Sequence, residues 1–172
     1  MVKTLFKKIL LPVDGSPQSH KALKFAAKIA NSAESELVVL YVIDSDVVGV
    51  TEDISDRFAI TYTEPEPTND VLERYSFFYS EKLDEIRGEK SYQKAEKIVK
   101  AASKEAIKHA KSVKSEIGLG PVAETIVRVA EKNKVDLIVI GSRGLSGFKR
   151  MLMGHVSSDV TEKAHCPVLV IR

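Results

Sequence analysis

A glycine-bearing loop between a buried strand and a helix is the feature that most constrains the fold of this chain. The apolar run at 136–140 predicts a buried parallel strand, and Gly141, Gly144 and Gly154 follow it with two and nine residues between them. A helix is predicted next, because apolar residues return at helical spacing at Val156, Val160 and Ala164. Glycine lets a backbone approach an anion closely, and the first N–H groups of a helix have no intrahelical partner. The segment therefore predicts a phosphate-binding turn.

Apolar runs and amphipathic stretches alternate through the rest of the chain. Strands are predicted at residues 8–13, 37–43, 115–119, 136–140 and 167–171, with 115–119 at or near a sheet edge. Further helices are predicted from Pro17, with Ser16 as N-cap, over 91–113, and behind Gly120-Pro121. The first of them carries its apolar residues at helical spacing, at Ala22, Phe25, Ala26, Ile29 and Ala33. This alternation predicts an α/β fold with a parallel sheet and helices on both faces.

Two turns are expected to share one edge of that sheet. In parallel α/β sheets, ligands bind outside the carboxyl ends of the strands, where the winding direction switches. The turn at Asp14 follows the first strand, and the loop at Gly141 follows the fourth. The sequence therefore predicts that these two turns form the walls of one crevice.

Length and composition indicate one domain over residues 1–172, with an insert at about 46–88. The insert is expected to be a partly helical lid or dimer contact, or else a segment packed on the body. A net charge of +2 gives no indication of a nucleic-acid or membrane partner. No run approaches the ~18 apolar residues of a membrane span. The single Cys166 cannot form an internal disulfide, which suits the cytoplasm, and the histidines show no metal-ligand spacing.

Four segments together resemble the universal stress proteins. The opening KILLPVDGS at 8–16 and the run VVLYVID at 38–44 look like the first two strands of that family. The glycine spacing of 141–154 is that of its ATP-binding branch, and HCPVLVI at 165–171 is similar to its last helix-to-strand junction. The likeness covers nearly the whole chain apart from the insert at 46–88.

The resemblance implies a fold, a ligand and a set of site residues. The fold is a Rossmann-like, five-stranded parallel sheet of order 3-2-1-4-5, and the ligand is ATP, ADP or AMP, with which a Mg²⁺ ion can be bound. Residues implied at the adenine and ribose end are Pro12, Val13, Asp14 and Val42. Residues implied along the ribose and phosphates are Ile140, Gly141, Arg143, Gly144, Gly154, His155, Val156 and Ser157.

Three of these positions leave alternatives open. Asp14 fits a ribose or metal contact, and it equally fits a cap of the turn before Ser16. Arg143 fits a phosphate contact or a solvated loop charge. His155 stands where the family has Ser or Thr, so the outermost phosphate contact is open and AMP or ADP suits the site as well as ATP. A histidine can still donate to a phosphate, more strongly when it is protonated.

Three classes of function compete. The first is a nucleotide-binding stress-response regulator with little or no turnover, which the sequence favours. The second is a weak ATPase or an enzyme of phosphoryl or nucleotidyl transfer, and the third is a structural dimer without a ligand. The chain has no GxxxxGK[ST] and no SGGxDS segment, and it shows no nucleophile with a positioned base. Strong catalysis is therefore not expected.

A homodimer is expected through the last strand. Residues 167–171 carry no charge, and at a sheet edge they would expose unpaired N–H and C=O groups along an apolar strip. Pairing with the same strand of a second copy around a two-fold axis would cover both edges. The alternative is that the insert at 46–88 folds over this edge.

Overall fold

The computed structural model describes residues 5–45, 89–145 and 153–172. The predicted insert at 46–88, with its expected role as a lid or dimer contact, lies outside the described residues. Strands and helices alternate in the described parts as predicted. In chain order they are β1 (Lys8–Pro12), α1 (Pro17–Ala33), β2 (Glu36–Asp44), α2 (Lys90–Ala106), β3 (Ser112–Gly120), α3 (Val122–Lys132), β4 (Leu137–Gly141), α4 (His155–Lys163) and β5 (Val168–Ile171).

The five strands form one parallel sheet of order β3-β2-β1-β4-β5, which confirms the order that the resemblance implies. The chain runs from β1 outward through β2 to β3, and then crosses to β4 and β5 on the other side. The winding direction therefore switches between β1 and β4. Because ligands bind at such a switch, the carboxyl ends of these two strands position the candidate site.

Helices cover both faces of the sheet, as predicted. Alternate residues of the central strands point to opposite faces, so that Ile9 and Leu11 pack on the α1 face while Leu10 packs on the α3 face. The described residues of β1 from Ile9 onward and all of β4 are buried. Burial on both sides explains why these strands read as continuous apolar runs.

Two local predictions were wrong. The helix expected over 91–113 ends at Ala106, and β3 is nine residues long instead of the short strand expected at 115–119. Pairing with β2 along the whole of β3 outweighs the helical spacing of Val113, which lies opposite Leu37.

Phe25 was expected on the apolar face of α1, but it is 53% exposed. Helix α1 packs on the sheet mainly through small residues such as Ala22 and Ala26.

Candidate functional site

Side chains of the turn between β1 and α1 accept two of the backbone N–H groups there. The Ser16 N–H donates to Asp14 Oδ1 at 2.8 Å, and the Ser19 N–H donates to Ser16 Oγ at 3.1 Å. Ser16 is therefore the N-cap of α1 and Pro17 opens the helix, as the sequence predicts. Gly15 has a φ of +83°, a conformation that L side chains rarely adopt. This wall of the site is fixed without any ligand.

The loop behind β4 is tied to the start of α4 through Ser142. The Ser142 N–H donates to the Ile171 carbonyl at 2.7 Å, and the Gly154 N–H donates to the Ser142 carbonyl at 2.7 Å. The buried Ser157 hydroxyl lies 2.9 Å from the same carbonyl and 3.0 Å from that of Gly154. Since its proton goes to these carbonyls, Ser157 can offer an anion its backbone N–H more readily than its hydroxyl.

Helix α4 begins without a side-chain cap. Gly154 occupies the N-cap position with φ −79° and ψ 161°, and there is no side-chain cap hydrogen bond. The N–H groups of the first helical turn, at His155, Val156 and Ser157, point out of the helix end. Together with the partial positive charge at a helix N-terminus, they can bind an anion.

The two walls touch through a carboxylate. Asp14 Oδ2 accepts from the Leu145 N–H at 3.2 Å, and Ser16 Oγ lies 3.4 Å from the Arg143 carbonyl. Asp14 thus caps the turn before Ser16, which was one of its two predicted roles. Its predicted contact with a ribose or a metal stays a prediction.

The glycines of the loop are needed for close approach. A Cβ built on Gly141 would lie 2.9 Å from the Gln18 carbonyl carbon and 3.0 Å from the Ser19 nitrogen, both backbone atoms of α1. A Cβ on Gly144 would lie 2.6 Å from Asp14 Oδ2. Among the described glycines, positive φ occurs at Gly15 and Gly120 and not at these two positions.

A pocket of about 410 Å³ opens at this edge, between the carboxyl ends of β1, β2 and β4. Its volume falls in the range of small-molecule sites. All of the residues predicted for the site line it, namely Pro12, Val13, Asp14, Val42, Ile140, Gly141, Arg143, Gly144, Gly154, His155, Val156 and Ser157. Val156 was expected on the inner face of α4 together with Val160. Val160 is buried, whereas Val156 is 36% exposed and lines the pocket.

Sequence reasoning missed eight lining residues in the described parts of the chain, namely Ser19, Leu40, Tyr41, Asp44, Val122, Ile126, Leu145 and Met153. Leu40 to Asp44 end the strand that neighbours β1, and Val122 and Ile126 begin the helix packed beside that strand. The sheet order alone would have indicated them, because parallel strands bring their carboxyl ends to one edge.

Apolar and charged groups occupy different parts of this pocket. Leu40, Val42, Val122 and Ile126 belong to the core on the α3 face and form an apolar wall. The Nε of Arg143 is buried and has no hydrogen-bond partner within residues 5–45, 89–145 and 153–172. Burial raises the pKa of the Tyr41 hydroxyl, and the Asp14 carboxylate raises it further. The pocket can therefore take a ligand with an apolar ring and an anionic end.

Two further observations limit what the described part of the chain contains. No group of three or more His, Cys, Asp or Glu side chains there could hold a metal ion. No helix there is both long enough and apolar enough to cross a membrane. Burial raises the pKa of the Cys166 thiol, which packs beside the α3-face core behind α4.

Comparison with known proteins gives the family. The model described as "Universal stress protein family" matches residues 5–64 and 67–172. Universal stress protein MJ0531 of Methanocaldococcus jannaschii is 33% identical over 171 residues, 99% of this chain and 84% of that protein. The structure of universal stress protein UspA from Lactobacillus plantarum superposes with a TM-score of 0.67 at 28% identity, over 96% of this chain and 97% of that one.

A third likeness shows the fold alone. A universal stress protein solved in complex with cAMP has a TM-score of 0.58 at 21% identity, over 98% of both chains. The family match includes most of the predicted insert at 46–88, with a gap only at residues 65–66. The chain belongs to the universal stress protein family.

Proposed function

We propose that this protein is a stress-response regulator that binds an adenine nucleotide in the crevice between the Asp14 turn and the Gly141 loop, with little or no turnover. The observation that carries the proposal is the 410 Å³ pocket, which joins an apolar wall to an uncapped helix start. An adenine ring needs apolar walls, and phosphates need N–H donors and cations. The solved complex with cAMP is an instance of an adenine nucleotide held by this fold.

The base, ribose and phosphates each have an environment suited to them. Val13 and Val42 would contact the base, and Asp14 would lie beside the ribose. The phosphates would lie at the start of α4, where Arg143 and His155 also line the pocket. A guanidinium and an imidazolium both donate charge-assisted hydrogen bonds to phosphate oxygens. ATP, ADP and AMP are all compatible with this arrangement.

Binding without rapid hydrolysis is the activity that we propose. No lysine occurs among the described residues that line the pocket, and the Ser157 hydroxyl donates to backbone carbonyls. Asp14 would supply one carboxylate to a Mg²⁺ ion that arrived with the nucleotide, and such ions take their other ligands from phosphates and water. A weak ATPase is the alternative, and product release above that of a heat-inactivated control would support it.

Calorimetry with ATP, ADP and AMP tests the proposal, with GTP as the control ligand. The unmodified protein should bind at least one adenine nucleotide more tightly than GTP. Gly144→Val should weaken binding by more than ~1 kcal/mol, because its branched side chain displaces Asp14. Ala101→Val adds a comparable side chain on the exposed face of α2 and should bind normally. Absence of binding, or equal affinity in Gly144→Val, would overturn the proposal.

We also propose a homodimer through β5. This strand is one edge of the sheet, its outward-facing Leu169 is 36% exposed, and it carries no charge. The opposite edge, β3, carries Lys114 and Glu116, which discourage pairing with another edge. Light scattering should give a dimer at micromolar concentration, and Val170→Lys should give a monomer or an aggregate. A monodisperse monomer of the unmodified protein would contradict the proposal.

Domain organisation and location complete the proposal. We propose a single domain over residues 1–172, because the family match covers almost the whole of that range. We propose the cytoplasm as its location, since Cys166 is the one cysteine of the sequence. Fractionation of cells that express the tagged protein tests the location, and enrichment with membranes would contradict it.

A further inference from the structure

The Asp14 side chain joins the two loops that form the candidate site. Its Oδ1 accepts from the Ser16 N–H at 2.8 Å within its own turn. Its Oδ2 accepts from the Leu145 N–H at 3.2 Å, although Asp14 and Leu145 are 131 residues apart in the sequence. A hydrogen bond whose acceptor is an ionised carboxylate is stronger than one between two neutral groups. One short side chain therefore connects the β1–α1 turn to the glycine loop.

Gly144 is the residue that admits this carboxylate. A Cβ built there would lie 2.6 Å from Asp14 Oδ2 and 3.8 Å from Asp14 Cγ, and within the described residues it would meet no other atom inside 4 Å beyond its chain neighbours. Gly144 does not have a positive φ, so its backbone does not itself require glycine. The obstacle to a side chain at position 144 is thus the Asp14 carboxylate. Rotating Asp14 away would break its bonds to Ser16 and Leu145.

We propose that Asp14 is a positioning residue, which holds residues 141–145 in the place from which they contact the nucleotide. This inference rests on the proposed function, because the ligand concerned is the adenine nucleotide proposed above. In this arrangement Gly144 acts through Asp14: a side chain at position 144 displaces the carboxylate and releases the loop. The role differs from a direct contact of Asp14 with the ribose or a metal, because it operates in the nucleotide-free protein.

A double-mutant cycle tests the dependence between the two residues. Calorimetry would use whichever of ATP, ADP and AMP the unmodified protein binds most tightly. Asp14→Ala and Gly144→Ala should each weaken binding about tenfold, the effect of losing one charge-assisted hydrogen bond. The double variant should bind no worse than Asp14→Ala, since the added Cβ then meets open space.

A matched variant at another glycine shows whether this non-additivity is specific. A Cβ at Gly154 would lie 3.4 Å from the Ser142 carbonyl oxygen and 3.6 Å from Arg143 Cα, and it would not meet Asp14. Gly154→Ala should therefore couple to Asp14→Ala more weakly than Gly144→Ala does. Additive losses in the Gly144 cycle, or equal non-additivity in the Gly154 cycle, would overturn the inference.

Amide measurements on the nucleotide-free protein separate this inference from the proposed function. Asp14→Ala and the milder Asp14→Asn should shift the Leu145 and Ser16 amide resonances and speed their hydrogen exchange. Gly144→Ala should change Leu145 in the same direction. If these amides do not change, Asp14 does not position the loop, even where nucleotide binding is lost. If they change in a protein that binds none of the three nucleotides, the proposed function fails and the effect of Asp14 on the loop stands.

Discussion

The two strand-to-helix junctions at the site differ in their hydrogen bonding. Both lead from the carboxyl end of a central parallel strand into a helix, across residues 13–16 at the β1–α1 junction and across residues 142–154 at the β4–α4 junction. At the β1–α1 junction, Asp14 and Ser16 accept the backbone N–H groups that the helix start would otherwise leave unpaired. At the β4–α4 junction, Gly154 has no side chain with which to do this, and the helix has no side-chain cap.

The two junctions therefore have different roles in the candidate site. The α1 start has a side-chain cap of its own, which fixes this wall of the site. The α4 start has no side-chain cap, and it lies near Arg143, whose Nε is buried without a hydrogen-bond partner among the described residues. An unpaired backbone donor that is shielded from water costs free energy. An anion at the α4 start would therefore stabilise the protein more than an anion at the α1 start. Substitutions at either junction test this difference.

The largest effect on stability is expected at Gly141, where the end of β4 packs closely against the start of α1. Gly141→Ala would place a Cβ 2.9 Å from the backbone of Gln18, at the start of α1. Helix backbone cannot move aside locally, so we expect the free energy of unfolding to fall by about 2–3 kcal/mol. Urea denaturation measures this loss. Gly154→Ala, whose Cβ approaches no atom of the described residues closer than 3.4 Å, is the control and should cost less than ~1 kcal/mol.

A side-chain cap on α4 would make its start resemble that of α1. Gly154→Asp supplies an acceptor and a negative charge at the helix start, and the φ of −79° suits any L residue. The nucleotide-free protein should gain up to ~1 kcal/mol in stability, while nucleotide affinity should fall by more than about tenfold. Thermal melting and calorimetry give the two numbers. Unchanged affinity in this variant would show that no anion binds at the start of α4.

The third prediction removes the cap that α1 already has. Ser16→Ala deletes the oxygen that accepts from the Ser19 N–H, at a side chain that is 1% exposed. We expect a loss of about 1 kcal/mol in the free energy of unfolding. Ser32→Ala, at an exposed position in the last turn of the same helix, should change stability far less. Equal effects of the two substitutions would mean that Ser16 does not act as a cap.

The same comparison shows which parts of the site could be predicted from the sequence. Local signals gave the Ser16 cap, the buried strands and the glycine loop, and the family resemblance gave the sheet order. Contacts between distant segments were not predicted: Gly141 packs on α1, and Asp14 accepts from Leu145. Such contacts depend on the spacing of two loops in the folded sheet, which no local pattern reports.

The boundary between α2 and β3 was missed for a related reason. Val113 continues the helical spacing of α2, yet it pairs with Leu37 in the sheet. Whether a residue extends a helix or joins a strand depends here on the length of the neighbouring strand, and that is a tertiary property. The lining residues Tyr41 and Ile126, by contrast, follow from the strand order that the resemblance implied, because that order brings the end of β2 and the start of α3 to the pocket.

The smallest effect is expected at the far ends of the two helices, where both have ion pairs. Glu34, just behind α1, pairs with Lys111, and Lys163, in the last turn of α4, pairs with Glu124 of α3. Burial pushes the pKa of Glu124 upward, but the hydrogen bond and charge of Lys163 outweigh this and leave it below the ordinary value of 4.5. The hydrogen bond that Lys163 donates to Glu124 raises the pKa of Lys163 above its ordinary value of 10.5.

These directions set the pH range in which the Lys163 pair stabilises the fold. A carboxyl whose pKa is lower in the folded state contributes fully above its unfolded value, near 4.5, and loses that contribution as the pH falls through its folded pKa. An amine whose pKa is raised contributes fully below 10.5 and loses that contribution as the pH rises through its folded pKa. Stabilisation by the pair is therefore complete between these limits and declines outside them.

Lys163→Met keeps most of the side-chain length and removes the charge. Both partners are about half exposed, so solvent screens the pair, and we expect a loss of only ~0.5 kcal/mol at neutral pH. The difference between the two proteins should vanish in strong acid, because Glu124 is then protonated in both. Urea denaturation across the acidic range measures it, with Lys132→Met at the end of α3 as the control. A difference that stays constant with pH would show that Lys163 acts through packing and not through its charge.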